Sequence, residues 1–171
     1  DKSAESFDRV VETKLNPVLT LVNELPAEQL KAAIFFASVS GFFGNPGQGD
    51  YAAANEIVNR LARRLTTIWS GKVVSLNWGP WSGAGMVTPE LARQFAARQI
   101  GLVSIAGGQR AALDELRSPA SHEVRVVIGE GPWLAEADDF AACLAADGRT
   151  RPFSNHVRSS IGEVQPSLIS P

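Results

Sequence analysis

The stretch from Ala33 to Leu65 constrains the chain more than any other part of it. It reads as a short apolar run, a glycine-rich loop, and an amphipathic helix that opens with a tyrosine. Ala33–Phe36 is too short and too bulky to be a helix by itself, and reads as a buried parallel strand. Ser38 and Ser40 fall where that strand ends. Ligands of open α/β sheets bind outside the carboxyl ends of the strands, so a hydroxyl at this point is well placed for chemistry. From Tyr51 onward Ile57, Val58, Leu61, Leu65 and Ile68 recur at helical spacing, leaving Arg60, Arg63 and Arg64 to face water. Tyr51 and Asn55 are four residues apart and share one face of the first turns.

The flanking segments follow the same alternation. Phe7, Val10, Val11, Val18, Leu21 and Val22 make the apolar stripe of a first helix, and Lys14 falls on that stripe. A lysine there either snorkels beside the core or is aimed into a site where its charge is used. Asn16-Pro17 caps a new helix or kinks this one, and Leu25-Pro26 ends the segment. Lys72–Trp78 reads as a second strand broken by Gly79-Pro80, Pro89–Arg98 as a short helix in a lid position, Ala106–Leu116 as another helix and Val124–Ile128 as a third strand. This rhythm predicts an α/β, Rossmann-like parallel sheet with flanking helices. Ala135–Ala146 forms one more helical stretch, so 1–146 is the domain. Residues 147–171, polar and aperiodic with Pro152, Pro166 and Pro171, read as a linker.

A net charge of −2 gives no electrostatic ground for binding nucleic acid or an anionic membrane. With Cys143 as the only cysteine there is no internal disulfide and no cysteine-rich metal site, which fits a reducing compartment. No apolar run is long enough to span a bilayer and no signal peptide is visible; the expectation is a cytoplasmic protein that binds no metal. Gly44-Asn45-Pro46-Gly47-Gln48-Gly49 lies between a strand and a helix but has the spacing G-x-x-G-x-G, not that of a dinucleotide fingerprint or a P-loop. It makes better sense as a loop whose glycines let Tyr51 approach the strand end. His122, His156 and Cys143 read as solvated bystanders.

Ser38, Tyr51 and Asn55, with Lys14 upstream and Asn77–Trp81 (NWGPW) downstream, give the chain a resemblance. So does the run FGNPGQGDYAAANE. It resembles the ketoreductase domains of polyketide and polyunsaturated fatty acid synthases, a branch of the short-chain dehydrogenase/reductases. The spacings agree: twenty-four residues from Lys14 to Ser38, thirteen from Ser38 to Tyr51 and four from Tyr51 to Asn55. The likeness covers about residues 1–140.

The resemblance implies a Ser38–Tyr51–Lys14–Asn55 site that reduces a β-ketoacyl thioester, carried on an acyl carrier protein, with NADPH. Tyr51 would be the general acid for the carbonyl oxygen. Lys14 would favour proton release from the phenol and hold the nicotinamide ribose. Ser38 would hydrogen-bond the substrate carbonyl, and Asn55 would join the relay that returns the proton. Gly79, Pro80 and Trp81 would lie along the cofactor. Most short-chain dehydrogenases carry lysine four residues after the tyrosine; synthase ketoreductases exchange it with an asparagine, and Lys14 stands where that exchange puts it. Ala37 stands where a second serine is often found. The family's glycine-rich cofactor motif and first strands have no counterpart in the chain. The expectation is therefore the C-terminal half of a ketoreductase catalytic subdomain, with an open edge on its first strand that the upstream half completes. The alternatives are a catalytically silent ketoreductase-like scaffold and a stand-alone short-chain dehydrogenase.

Overall fold

The structure, a computed structural model, describes residues 2–83, 87–119 and 123–132. The helix expected over 135–146, the linker expected over 147–171, and His122, Cys143 and His156 lie outside the described residues. Two compact units emerge, one comprising Asp1–Trp78 with Leu116–Val127, the other Gly79–Glu115 with Ile128–Pro171.

The first unit is built on a sheet in the order β1 (Ala32–Ser38), β2 (Lys72–Trp78), β3 (Arg125–Ile128). β1 and β2 run parallel in register from Ala32 opposite Lys72 to Ser38 opposite Trp78. β3 continues the sheet, its approach marked by the Ser75 N–H donating to the Val124 carbonyl at 2.6 Å. This is the parallel sheet that the alternation of strands and helices predicts.

Two helices cover the face formed by Ala33, Phe35 and Ala37. The first, α1 (Ala4–Glu24), starts where the Ser3 hydroxyl accepts the Ser6 N–H, and stops at Leu25 before Pro26. It runs on past Pro17, which lies inside it, so that proline does not cap a new helix. α1 contributes Val18 to the core, whereas Phe7 and Leu21 stay exposed. The apolar stripe is therefore broader than the part of it that is covered. The second helix, α3 (Gly49–Leu65), buries Ala54, Val58, Ala62 and Leu65, spaced so that one stripe meets the sheet. Val18, Phe35, Ala37, Val58, Ala62, Leu65, Trp69, Val73 and Val124 form one cluster.

Three local expectations change. β1 runs on to Ser38 rather than stopping at Phe36, because its pairing with β2 continues to Trp78. Residues after Ser38 form a short helix, α2 (Val39–Phe43), in place of the expected loop; the Ser38 hydroxyl accepts the Ser40 N–H at 3.2 Å, and Gly44 ends the helix at φ 77°. Such a φ is one that glycine adopts without strain. Ile68 does not extend the stripe of α3, which ends at Leu65. The following turn leaves Ile68 55% exposed and buries Trp69 instead.

In the second unit α4 (Pro89–Ala97) is capped by Thr88, whose hydroxyl accepts the Leu91 N–H, and α5 begins at Ile105 and ends at Arg117. Trp81 bridges to Val103, and its ring lies so close over Gly108 that a side chain there would overlap it. Among the described residues no helix is long and apolar enough to cross a membrane.

Leu76, at the centre of β2, is fully buried. Leu76→Ala is expected to destabilise the fold by about 2–5 kcal/mol, the usual cost of a large-to-small change in a packed core, read as a lowered urea midpoint at unchanged slope.

Candidate active site

β1 delivers Ser38 at its carboxyl end, and α3 begins eleven residues later at Gly49. The connection folds back because α2 packs on α3 at one place. A Cβ on Gly41 would lie 2.6 Å from Asn55 Cβ and 2.9 Å from the Asn55 carbonyl carbon. Only glycine allows that approach, so α2 rests directly on the residue four after Tyr51. Nothing in the sequence singles out Gly41, because a glycine a few residues past a strand end resembles any loop glycine.

Asn55 is 0% exposed. Its Nδ2 donates to the Tyr51 carbonyl at 2.7 Å, while its Oδ1, equally buried, has no hydrogen-bond partner among the described residues. A buried acceptor without a donor is costly, and so marks a place for a hydroxyl or a water.

Lys14 projects from α1 to the same end of β1. Its Nζ donates to the Phe36 carbonyl at 2.9 Å and stands 6.0 Å from the centre of the Tyr51 ring. The Lys72 N–H bonds to the Lys31 carbonyl, so odd-numbered carbonyls of β1 face β2 and that of Phe36 faces the open edge. The ammonium is thus drawn to the edge of the sheet beside the phenol. Partial burial holds the Lys14 ammonium below the usual lysine pKa, since burial penalises its charged form. The charge thus lies at the strand edge, held by a backbone carbonyl.

Lys14, Tyr51 and Asn55 therefore converge at the end of β1. Ser38 is buried there too, with its hydroxyl engaged at the start of α2. Gly79, Pro80 and Trp81 belong to the second unit. The Gly79 N–H donates to Ile128, the Pro80 carbonyl accepts from Val103, and the Trp81 indole is taken up in packing over Gly108.

Asp50, for which the sequence pattern suggests no role, is 2% exposed and directly precedes Tyr51. Its Oδ1 accepts from Lys2 Nζ and from the Tyr51 N–H at 2.8 Å, anchoring the start of α1 to the first turn of α3. The Lys2 hydrogen bond, chiefly, holds the Asp50 carboxyl below its usual range. A carboxylate at this end also complements the helix dipole. Among the described residues no cluster of His, Cys, Asp or Glu could hold a metal.

The chain is similar to known proteins in both sequence and fold. Residues 1–83 match the family model described as KR domain. The chain is 37% identical over 132 residues, 77% of its length, to a polyunsaturated fatty acid synthase polypeptide of Thraustochytrium sp.. It is 35% identical over 86 residues, 50% of its length, to the polyketide synthase PksM of Bacillus subtilis. It spans only 4% and 2% of those two proteins. Among solved structures it resembles the ketoreductase from the first module of phoslactomycin biosynthesis in Streptomyces sp. HK803. The TM-score is 0.70 at 29% identity, over 82% of this chain and 32% of that one. A ketoreductase domain from the bacillaene assembly line gives a TM-score of 0.64 at 29% identity, over 81% of this chain and 34% of that one.

Asp50→Asn is expected to lower stability at neutral pH. The carboxyl titrates lower in the folded chain than in the unfolded one, so its stabilisation is complete above about pH 4 and is lost as pH falls through the folded value. Urea midpoints of wild type and variant should accordingly converge as the solution is acidified; a gap that persists in acid would contradict the ion pair.

Proposed function

Because the chain belongs to the ketoreductase (KR) domains of the short-chain dehydrogenase/reductase superfamily, we propose that it carries the proton-transfer half of a β-ketoacyl reductase. The substrate is a β-ketoacyl thioester on an acyl carrier protein, within a polyketide or polyunsaturated fatty acid synthase in the cytoplasm. The product is the β-hydroxyacyl thioester.

The convergence of Lys14, Tyr51 and Asn55 at the end of β1 is the observation that supports this reading. Tyr51 gives its phenolic proton to the ketone oxygen as the carbonyl becomes an alcohol. A phenol is a reluctant donor at neutral pH, and an ammonium beside it stabilises the phenolate left behind. Ser38 donates its hydroxyl to the same carbonyl oxygen, which fixes the face presented and stabilises developing negative charge. Asn55 Oδ1, buried and without a donor among the described residues, accepts from a water through which the phenolate regains its proton.

NADPH, when bound, supplies the hydride. The residues present suit one end of it. The Lys14 ammonium matches a hydroxyl of the nicotinamide ribose, and the family resemblance alone assigns Gly79, Pro80 and Trp81 to the cofactor. No phosphate-binding glycine motif accompanies them in the sequence. A further strand pairing with the β1 edge, which is open among the described residues, would bring such a site to this end of the sheet.

The test is NADPH oxidation by this chain together with its upstream half, given a β-ketoacyl thioester. Tyr51→Phe should lower turnover at least about 10²-fold, as loss of a general acid does, with NADPH binding retained. Wild-type protein that is folded, binds NADPH and reduces nothing would leave the silent scaffold as the better account. Lys14→Met should also lose turnover while keeping or gaining stability at neutral pH, because it removes a charge whose burial is unfavourable.

A further inference from the structure

One turn beyond Asn55 on α3 lies a polar cluster for which the chemistry above has no use. Asn59, Ser75 and Asn77 are buried beside an apolar core that includes Val58, Ala62, Val73 and Phe35. Asn59 Nδ2 donates to Asn77 Oδ1 at 2.9 Å and to Glu56 Oε2 at 3.2 Å. The Ser75 hydroxyl donates to Asn59 Oδ1 at 2.7 Å, and Asn77 Nδ2 donates to the Ser75 carbonyl at 3.3 Å. Both N–H groups and the oxygen of Asn59 are thereby engaged. On its outer side Glu56 Oε2 lies 3.6 Å from the Arg125 guanidinium, which stacks on the Phe42 ring of α2 at 4.6 Å.

Buried polar groups are unfavourable unless hydrogen-bonded, and an apolar set of the same shape can pack as well without them. What a satisfied directional network adds is uniqueness. Apolar side chains set how far a helix stands from a sheet, but they constrain its rotation and its position along the strands only weakly. An amide held at three points constrains both.

We propose that Asn59, with Ser75 and Asn77, is a positioning device that sets the rotation and height of α3 on β2. It thereby sets where Tyr51 and Asn55 stand at the end of β1. Tyr51, Asn55 and Asn59 follow one another at intervals of four along a single helix face, so a rotation of α3 displaces all three together. The branch through Glu56, Arg125 and Phe42 reaches α2, the helix that Ser38 caps. One network thus bears on α3, which carries Tyr51 and Asn55, and on α2, which Ser38 caps. The inference rests on the reductase reading for its catalytic consequence, but not for its structural one.

The test uses the chain together with its upstream half and the triple variant Asn59→Leu/Ser75→Ala/Asn77→Leu, which removes the network without leaving a polar group stranded. The variant should unfold at a urea midpoint no lower than that of wild type. Its kcat should fall at least about tenfold with KM within about twofold. Amide exchange over residues 49–57 should quicken at least about tenfold by local opening. A folded triple variant with unchanged kcat overturns the proposal, whether or not exchange changes, because a merely structural cluster would behave so. Should the triple variant not fold, Asn59→Asp replaces it. That substitution keeps the volume but turns the donor into an acceptor facing Asn77 Oδ1 and Glu56 Oε2, and unchanged kcat and exchange there overturn the proposal equally. Wild-type protein without turnover would defeat the reductase reading separately; in that case the exchange arm alone decides the positioning role, and unchanged exchange overturns it.

Discussion

The seat of α3 against β1 and β2 is the contact on which everything else depends. Its apolar stripe supplies Val58, Ala62 and Leu65 to the core, where they meet Phe35, Ala37 and Val73 of the strands. Removal of that surface from water, the largest favourable contribution to folding, brings the helix to the sheet. Polar contacts then decide how it lies: Asn59 on Asn77 and Ser75, Asp50 on Lys2, and the close passage of Gly41 over Asn55. Tyr51 inherits its position from these constraints, since a residue in the first turn of a rigid helix goes where the helix goes.

The site itself carries features that a fold built for stability alone would avoid. Lys14 keeps an ammonium half-buried with a backbone carbonyl as its partner. Asn55 keeps an acceptor fully buried and, among the described residues, unsatisfied. Each opposes folding, and the two lie at one end of one strand, with the phenol of Tyr51 beside the ammonium. Groups of this kind gather where a protein handles charge and protons. The surrounding core is conventional by contrast, with its polar atoms paired around Asn59.

Among the described residues β1 stands at the end of the sheet order, with Lys14 capping an outward carbonyl. Edge strands left open in this way are rarely tolerated without a covering element. The longer ketoreductase structures that the chain resembles, of which it spans about a third, accord with such an element.

Much of this was legible in the residues themselves. The bounds of β2, the period of α3, the helices near 89–97 and 105–117, and the pairing of Tyr51 with Asn55 on one face all follow from local periodicity and from Gly-Pro punctuation. Each depends on neighbours in the chain, and short-range sterics and side-chain alternation act over only a few residues. Lys14, too, was visible as a charge on an apolar stripe, although the stripe alone could not say which way it pointed. What only the tertiary structure decided depends on residues distant in sequence. It turned Lys14 to the β1 edge, made the turn after Ser38 a helix resting on Asn55 through Gly41, exchanged Ile68 for Trp69 in the core, and joined Asn59 of α3 to Asn77 of β2. No local pattern encodes those contacts, because each partner is chosen by the packing of elements that the chain brings together only once it has folded.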